Sequence, residues 1–242
     1  MIEVKTKPIT WSRLSVETVE ATRLTVPEVS LYPIAKRVMD VVLALVALVA
    51  LSPLMALIAL AVKLDSPGPA IFRQTRVGRW GRDFTMYKFR SMRVDADDLL
   101  HREFAKNYIN GDTAKIGIPS ASGQIVYKPN GDNRITRVGK FLRQTSLDEL
   151  PNLVNVLKGE MSVVGPRPVV RYEVEQYSKW HLQRLAVLPG LTGLPQIRGR
   201  GRLTFEKAIR LDLEYIERRC LLLDIEIVLQ TFPVLLKFKA TA

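Results

Sequence analysis

The stretch VMDVVLALVALVALSPLMALIALAV, residues 38–62, contains a single charged side chain, Asp40. It is longer than the roughly 20 apolar residues that a helix needs to cross a hydrocarbon core of about 30 Å. It begins too far from the N-terminus, and its apolar run is too long, for a cleaved secretory signal. The sequence therefore predicts a membrane helix, and the alternative is a buried helix of a soluble domain.

A serine–proline pair lies near the middle of this segment. Pro53 has no N–H, so the carbonyl of Val49 loses its helical hydrogen bond, and the Ser52 hydroxyl can bond the freed carbonyl. Lys36 and Arg37 precede the segment and several basic residues follow it, so the positive-inside rule gives no preferred orientation. We expect a re-entrant helix, which breaks at Ser52-Pro53 and returns to the same side; a proline-containing span is the alternative.

The composition limits the remaining functions. The chain has 242 residues, enough for one substantial domain or two small ones, and 36 Lys+Arg against 24 Asp+Glu give a formal charge of +12. This charge predicts an anionic partner such as nucleic acid, acidic lipid or a phosphorylated ligand. One cysteine and two histidines exclude an intramolecular disulfide and a Cys/His zinc site, so any metal should be oxygen-bound Mg²⁺ or Mn²⁺.

A basic β-hairpin is predicted after the membrane helix. The stretch IFRQTRVGRWGRDFTMYKFRSM, residues 71–92, has two β-prone runs around a glycine-containing turn. Such basic density is typical either of a solvated face or of a surface for lipid or ligand phosphates. The basic residues are Arg73, Arg76, Arg79, Arg82, Lys88, Arg90 and Arg93.

The whole chain is predicted to be mainly α with a small β-hairpin element, an α+β fold with amphipathic interfacial helices. We divide it into a polar arm, residues 1–33, a re-entrant membrane helix, 34–65, and a membrane-associated domain, 66–242. Within the domain, 94–108 indicates a helix, and 109–134 a loop with a strand at QIVY. Apolar residues spaced by three and four predict one amphipathic helix near the end, followed by an interfacial segment, FPVLLKFKA. Its stripe is Ile209, Leu213, Ile216, Cys220, Leu223 and Ile227.

Two adjacent carboxylates occur in TSLDELPNL, residues 145–153. Ser146 and Glu149 match a capping box, the ordinary explanation for acidic residues at a helix start. A helix capped at Ser146 would, however, place Pro151 at its fifth position, where the missing N–H breaks a hydrogen bond. We expect the helix to begin at Asp148, because Pro151 then lies within the first turn, where its missing N–H costs nothing. Adjacent carboxylates can meet at one ligand only where the backbone is not yet helical, and a helix start allows this.

Basic residues surround this acidic pair on both sides. We expect them to keep the carboxylates ionised, with the pKa of Asp148 lowered and its anion ready as a nucleophile or a metal ligand. An acidic helix start without chemistry is the alternative. The basic residues are Arg134, Arg137, Lys140, Arg143, Lys158, Arg167 and Arg171.

Two proline- and glycine-containing stretches follow. In VVGPRPVV, residues 163–170, each proline fixes its own φ, so the bend is stiff and presents Arg167 in one direction. A guanidinium held in this way can bind a diphosphate with two hydrogen bonds, and a purely structural turn is the alternative. The stretch PGLTGLPQIRGRGR, 189–202, is a weak phosphate-loop signal that carries Arg198 and Arg200.

Several long motifs in one order carry a resemblance. KRVMD before a proline-broken apolar segment, SPGPAIFRQTRVG, YKFRSM, TRVGKFLRQTSLDELPNLVNVLKGEMSVVGPRP and PGLTGLPQIRGR occur in this sequence. Their order resembles the bacterial sugar transferase family, the monotopic phosphoglycosyl transferases. The resemblance covers about residues 34–240, which is nearly everything except the N-terminal arm.

The resemblance implies a two-step reaction in which Asp148 is the nucleophile. It would attack the β-phosphorus of a UDP-sugar, release UMP and carry the phosphosugar, which a polyprenyl phosphate such as undecaprenyl phosphate then accepts. Glu149 would be the partner acid, and the pair would hold Mg²⁺, with Mn²⁺ as the alternative. Ser52 and Pro53 would form the kink of a re-entrant helix.

The resemblance and the basic motifs together give a set of expected site residues. Pro166 and Pro168 would shape a rigid active-site loop. The residues expected to bind substrate or phosphate are Lys88, Arg90, Arg137, Arg143, Arg167, Arg198 and Arg200.

The implied location is the bacterial inner membrane, with a monotopic protein whose catalytic domain faces the cytoplasm. The implied partners are a UDP-sugar, a polyprenyl phosphate and membrane lipids, without nucleic acid; homo-oligomerisation stays open. The alternatives are a basic nucleic-acid-binding protein, a non-catalytic membrane-anchored scaffold and a glycosyltransferase that releases UDP. A nucleic-acid-binding protein would leave the apolar segment and the acidic pair unexplained. The sequence does not indicate which sugar is transferred.

Overall fold

The apolar stretch 38–62 lies in one long helix, Tyr32–Asp65 (α1), of the computed structural model. Among the described residues it is the one helix long and apolar enough to cross a membrane, judged by length and composition. The helix runs through Ser52 and Pro53, and Ser52 Oγ donates to the Val49 carbonyl at 2.9 Å, which confirms the predicted hydroxyl bond. It begins two residues before the predicted boundary, because Pro33 fits the first turn of a helix.

The structure describes residues 31–94, 99–112, 116–119, 125–127, 134–199 and 201–237, so almost all of the predicted polar arm, 1–33, lies outside them. The further α-helices are Leu99–Ile109 (α2), Arg137–Thr145 (α3), Leu153–Lys158 (α4), Arg171–Val174 (α5), Lys179–Leu182 (α6), Leu194–Gly199 (α7), Phe205–Arg218 (α8) and Leu221–Lys237 (α9). The 3₁₀ helices are Arg79–Gly81, Leu147–Asn152 and Gln183–Ala186. The strands are Ile71–Val77 (β1), Asp83–Phe89 (β2), Gly117–Pro119 (β3), Ile125–Tyr127 (β4), Ser162–Val164 (β5) and Gly190–Thr192 (β6).

The strands form three two-stranded sheets in the part of the chain that the structure describes, and the remaining elements are mainly helical. The predicted hairpin is confirmed, since β1 and β2 pair antiparallel, with Arg76 opposite Phe84 and Phe72 opposite Lys88. The predicted strand at QIVY is also present and pairs with β3. Because side chains alternate along a strand, Arg76, Phe84 and Lys88 project from one face of the hairpin.

A parallel pair joins the two proline- and glycine-containing stretches. β5 leads into VVGPRPVV and β6 lies within PGLTG, with Ser162 opposite Gly190. Gly190 is required here, because a Cβ at this position would lie 2.1 Å from the backbone nitrogen of Gly165. Gly190 N–H also donates to the Pro166 carbonyl at 2.8 Å, so β6 supports the backbone of the predicted active-site loop.

Both halves of α1 pack against the same domain. Ala44, in the first half, is fully buried in a cluster with Met86 of β2. Val62, near the other end, is buried in a cluster with Phe89 of the same strand. Between and around these contacts the helix exposes a large apolar surface that includes Val49 and Leu57.

Polar contacts reinforce both ends of α1. Arg37 donates to the Val156 carbonyl at 2.6 Å and to the following carbonyl at 2.8 Å. At the other end, the Asp65 carboxylate accepts from the Val138 N–H at 3.0 Å. The domain therefore contacts both sides of the Ser52-Pro53 pair.

The apolar stripe predicts one continuous amphipathic helix near the C-terminus, and this prediction is wrong because the structure has two helices. Arg219 leaves the helical region, with ψ of 125°, and separates α8 from α9. Ile209 and Ile216 of α8 are buried as predicted, but Cys220 is exposed at the break. The exposed large apolar residues of α9 are Leu222, Ile225, Leu229 and Phe232.

Candidate active site

The acidic pair lies at a helix start, as predicted. The 3₁₀ helix Leu147–Asn152 has Asp148 and Glu149 in its first turn, and it begins one residue before the predicted start at Asp148. Ser146 precedes it in the left-handed conformation, with φ of 58°, and its side chain makes no cap hydrogen bond. The capping-box explanation is therefore wrong for this segment, because a left-handed Ser146 does not have the extended backbone of a capping serine.

Asp148 is buried, with 8% of its surface exposed, and its carboxylate makes no hydrogen bond with the residues that the structure describes. Burial raises the pKa of its carboxyl above the ordinary value, and the negative charge of Glu149 also raises it. Lys88, Arg143 and Arg167 act in the opposite direction without reversing the shift. The predicted lowering of this pKa is therefore wrong, because desolvation of the carboxylate outweighs the basic neighbours.

Lys88 reaches the acidic pair from the hairpin. Its Nζ lies 2.7 Å from Glu149 Oε1 in a partly buried ion pair. The period-two alternation of β2 sets this direction, since Met86 and Lys88 both project toward the 3₁₀ helix and line the same pocket. Lys88 is thus placed to neutralise negative charge beside both carboxylates.

A pocket of about 320 Å³ lies beside this ion pair. Its lining combines charged residues, Lys88, Glu149 and Arg167, with apolar residues such as Leu191 and Phe232. The other lining residues are Arg76, Met86, Ser146, Leu150, Asn152, Leu153, Val163, Pro168, Gly190, Thr192, Gln196, Ile197, Val228 and Thr231. Such a combination of polar and apolar walls suits a ligand with a charged end and an apolar part.

Three buried polar atoms in the lining lack a hydrogen-bond partner among the described residues. They are Arg76 Nε, Asn152 Oδ1 and Gln196 Oε1. Buried polar atoms in native proteins nearly always have a partner, so these three atoms are available to hydrogen-bond a ligand in the pocket.

Arg167 is exposed between two buried prolines, as the stiff-bend prediction requires. Its backbone is fixed from behind, because Arg184 Nη2 donates to the Arg167 carbonyl at 3.3 Å. Arg184 is itself buried and lies 2.7 Å from Asp212 of α8 in an ion pair. This contact chain holds the loop so that the Arg167 guanidinium faces the pocket.

Arg76 is a pocket residue that the predicted site did not include. It is buried, donates to the Pro168 carbonyl at 3.4 Å and to Gln74 Oε1 at 2.6 Å, and lies close enough to Arg167 for the two positive charges to interact. The strand register could have identified it, because Arg76 projects from the same hairpin face as Lys88.

The other expected phosphate-binding residues lie elsewhere. Arg90 is buried, and its Nη2 donates to the Val62 and Ser66 carbonyls, so it holds the end of α1. Arg198 pairs with Glu214 at 2.9 Å and is not in the pocket lining. Arg137 is exposed at the start of α3, also outside the lining, and Arg200 lies outside the described residues.

The two carboxylates of the acidic pair offer oxygen donors to a metal ion. No group of three or more His, Cys, Asp or Glu side chains that could hold a metal occurs among residues 31–237 as far as they are described. Asp148 and Glu149 are two adjacent oxygen donors, and Mg²⁺ is commonly held by one or two carboxylates together with substrate phosphates. The pair fits such a shared site, with Lys88 already bonded to one Glu149 oxygen.

The sequence profile of the family described as "Bacterial sugar transferase" matches residues 31–238. The chain is 42% identical over 204 residues to "Galactosyl transferase CpsE" of Streptococcus agalactiae, covering 84% of this chain and 42% of the relative. It is 42% identical over 211 residues to "UDP-glucose:undecaprenyl-phosphate glucose-1-phosphate transferase" of Caulobacter vibrioides, covering 83% of this chain and 69% of the relative. It is 41% identical over 202 residues to "Undecaprenyl-phosphate galactose phosphotransferase" of Salmonella typhimurium, covering 84% of this chain and 40% of the relative.

The chain thus spans about two-fifths of the length of several curated relatives that it matches. The names of these relatives include glucose and galactose at nearly equal identity. Overall identity therefore does not decide which sugar this site would accept.

Proposed function

Because the chain belongs to the bacterial sugar transferase family, we propose that it moves a sugar 1-phosphate from a UDP-sugar to undecaprenyl phosphate or a similar polyprenyl phosphate. One observation carries the proposal: the buried Asp148 carboxyl lies at the start of a 3₁₀ helix under the charges of Lys88, Arg143 and Arg167. The printed names of the relatives support the donor and the acceptor class.

In the first step an Asp148 oxygen attacks the phosphorus that carries the sugar. A bond forms between this oxygen and the phosphorus, and the bond from the phosphorus to the bridging oxygen of the diphosphate breaks. UMP leaves with the electron pair, and Asp148 carries the phosphosugar as an acyl phosphate. Lys88 and Arg167 act by neutralising charge on the transferred group and the leaving phosphate, which is the main requirement of phosphoryl transfer.

In the second step a phosphate oxygen of the polyprenyl phosphate attacks the same phosphorus. The bond between the phosphorus and Asp148 breaks, the carboxylate is regenerated, and a polyprenyl diphosphosugar forms. The apolar wall of the pocket supports a lipid acceptor, because Val228 and Phe232 belong to α9, whose exposed apolar face continues away from the pocket. A lipid chain can therefore lie along α9 while its phosphate reaches the charged residues of the pocket lining.

We propose Mg²⁺ as the cofactor, with Mn²⁺ as a substitute, held by Asp148, Glu149 and the substrate phosphates. When bound, the ion would offset the negative charge of the diphosphate. The two carboxylates and Lys88 are the groups of this chain that would orient it.

A re-entrant α1 is also part of the proposal. A straight helix of 34 residues would be about 51 Å long, far more than the membrane core. Arg37 near its start and Asp65 at its end both contact the same domain, which favours both ends lying on one face of the membrane. The protein would then be monotopic in the bacterial inner membrane, with residues 66–242 as a catalytic domain on the cytoplasmic face.

The proposal is tested by product identity. Purified protein is incubated with Mg²⁺, undecaprenyl phosphate and a panel of UDP-sugars that includes UDP-glucose and UDP-galactose, and UMP and UDP are measured separately. We expect UMP from at least one donor, together with a lipid-linked phosphosugar.

Two results would reject the proposal. UDP as the only nucleotide product would indicate a glycosyltransferase that moves the sugar alone. No nucleotide product from any donor, with folded protein, would indicate a scaffold. Asp148→Asn serves as the inactive control, and Lys158→Gln, which changes a basic residue that hydrogen-bonds the Tyr87 hydroxyl outside the pocket lining, serves as the active control.

A further inference from the structure

The basic residues of the β1–β2 hairpin fall into separate groups. Arg76 points to the pocket and Arg73 lies over the ring of Tyr87, which projects from the opposite hairpin face. Arg79 and Arg82 are at the tip and do not line the pocket. The tip therefore needs an explanation that the proposed reaction does not supply.

Trp80 is the central residue of the tip. Its side chain is 40% exposed, although tryptophan is normally well buried. Its backbone has φ of 56° and ψ of 30°, a left-handed conformation that is uncommon for a large aromatic residue. Strain of this kind persists at sites that hold a side chain in a particular direction.

Two guanidinium groups lie against this tryptophan. The Arg79 guanidinium carbon is 3.9 Å from the ring centroid, and that of Arg82 is 5.9 Å from it. Neither arginine forms an ion pair with a carboxylate of the described residues, so their charges are not balanced there. The tip thus combines exposed aromatic surface with two adjacent positive charges.

A third arginine connects the tip to the membrane helix. Burial, together with the positive charges of Arg219 and Arg82, lowers the pKa of Arg79, which places Arg219 close to the tip. Arg219 also acts electrostatically on Tyr32, the first residue of α1. Tyr32 in turn donates to Asp224 of α9 at 3.0 Å, so α1 and α9 meet at this residue.

The surface around this point is apolar. Leu31 is 80% exposed, Ile34 is 67% exposed and Leu222 is 79% exposed. Exposed leucine and isoleucine next to tryptophan and unpaired arginines are typical of a segment at the depth of lipid headgroups.

We propose that the hairpin tip, formed by Arg79, Trp80 and Arg82 with Arg219 beside it, binds the phosphate of an anionic phospholipid such as phosphatidylglycerol. Charge complementarity favours this occupant, because the guanidinium groups match a headgroup phosphate while Trp80 lies at the interface. A free nucleotide is disfavoured, since Arg79 and Arg82 lie outside the pocket that Lys88, Glu149 and Arg167 line. This lipid site takes no part in the proposed reaction. The two proposals share one premise, that α1 is a membrane helix.

The test measures which lipid lies next to Trp80. A full-length Trp11→Phe/Trp180→Phe variant, in which Trp80 is the one remaining tryptophan, is placed in nanodiscs of phosphatidylcholine with increasing phosphatidylglycerol. The acyl chains of one lipid and then the other are brominated, and quenching of Trp80 gives their relative affinity. We expect phosphatidylglycerol to be preferred, and Arg79→Gln and Arg82→Gln each to reduce this preference by up to about fivefold.

Arg73→Gln is the matched control, because it removes the same charge from the same hairpin away from the tip. The preference for phosphatidylglycerol should be unchanged in the Arg73→Gln variant. If the single-tryptophan variant does not fold, native mass spectrometry of the wild-type chain counts the retained phosphatidylglycerol, which the Arg79→Gln/Arg82→Gln variant should lose and Arg73→Gln should keep.

Three outcomes overturn the inference: no quenching of Trp80 by either lipid, equal quenching by both, or a preference unchanged in the double variant. Quenching or retention that responds to a UDP-sugar instead of to lipid would also overturn it. UMP release in detergent should stay near the wild-type rate in the double variant, so a failure of the lipid site is distinguishable from a failure of the proposed reaction.

Discussion

At the scale of single residues, Asp148 shows what a sequence does and does not specify. Its place in the first turn of a helix was predictable, but the exact start was not, because the segment is a 3₁₀ helix that begins directly after Ser146 and includes Pro151. The direction of its pKa shift was not predictable. The sequence shows how many basic residues surround Asp148, but it does not show that the carboxyl is buried, and burial raises its pKa. Arg76 was overlooked for a different reason, because its alternation with Lys88 becomes informative only when the register of the hairpin is fixed.

The raised pKa of Asp148 gives a pH-dependent prediction. If the ionised carboxylate is the nucleophile, UMP release increases as pH rises through this pKa. Lys88 lowers the pKa, so Lys88→Met should raise it further and move the acidic limb of the pH–rate profile to higher pH. The profile of UMP release against pH, measured for both proteins, checks this.

Lys158→Met is the matched control for this experiment. Lys158 hydrogen-bonds the Tyr87 hydroxyl and is not among the groups that shift the pKa of Asp148. Its acidic limb should coincide with that of the wild type. A limb that stays in place in Lys88→Met, or moves to lower pH, would contradict the assignment of Asp148 as the titrating group.

At the scale of elements, local patterns predicted the hairpin and failed at the C-terminal helices. Alternating β-prone runs around a glycine-containing turn specify β1 and β2 almost completely. The stripe from Ile209 to Ile227 continues across the break at Arg219, since α9 resumes nearly the same spacing. Periodicity therefore could not show that one helix packs in the core and the next exposes an apolar face.

The buried pair of Arg184 and Asp212 gives a prediction at this scale. Asp212→Leu would leave the Arg184 guanidinium buried without its carboxylate, at a cost of about 3–5 kcal/mol in the free energy of unfolding. Arg184→Met/Asp212→Leu removes both charges and should destabilise less. Thermal unfolding of both variants measures the difference, and a double variant that is less stable than Asp212→Leu would contradict this account.

The same double variant tests the role of the pair in the site. Arg184 supports the Arg167 carbonyl, so a folded Arg184→Met/Asp212→Leu protein should bind the donor less well even where its stability is restored. We expect a higher KM for the UDP-sugar, on the order of tenfold, with a smaller change in kcat. Unchanged KM in the folded variant would show that the loop holds Arg167 without this support.

At the scale of the whole molecule, the sequence predicted a membrane helix but left its topology open. Symmetric basic flanks remove the usual orientation signal. The structure adds that Ala44 and Val62, on opposite sides of Pro53, are buried against neighbouring parts of one domain. Such tertiary contacts cannot be predicted from hydropathy. The support for a re-entrant helix therefore comes from how the domain packs against α1.

Cysteine labelling tests this topology. Leu31 and Leu64 are 80% and 79% exposed at the two ends of α1, and Cys220 is a free, exposed marker of the domain. Leu31→Cys and Leu64→Cys, each in a Cys220→Ser background, are treated with a membrane-impermeant maleimide in right-side-out and inverted vesicles, with wild-type Cys220 for comparison. We expect all three positions to be labelled from the same face, and labelling of the two ends from opposite faces would show a span.

The central claim is that Asp148 becomes covalently bonded to phosphorus, and intact-protein mass spectrometry tests it most directly. Protein is incubated with Mg²⁺ and the active UDP-sugar without any lipid acceptor, quenched rapidly and analysed by peptide mapping. We predict an added mass of one phosphosugar on the peptide that contains Asp148, its loss on addition of undecaprenyl phosphate, and no addition in Asp148→Asn. Turnover at the wild-type rate by a folded Asp148→Ala variant, or the same added mass on a different residue, would contradict the account.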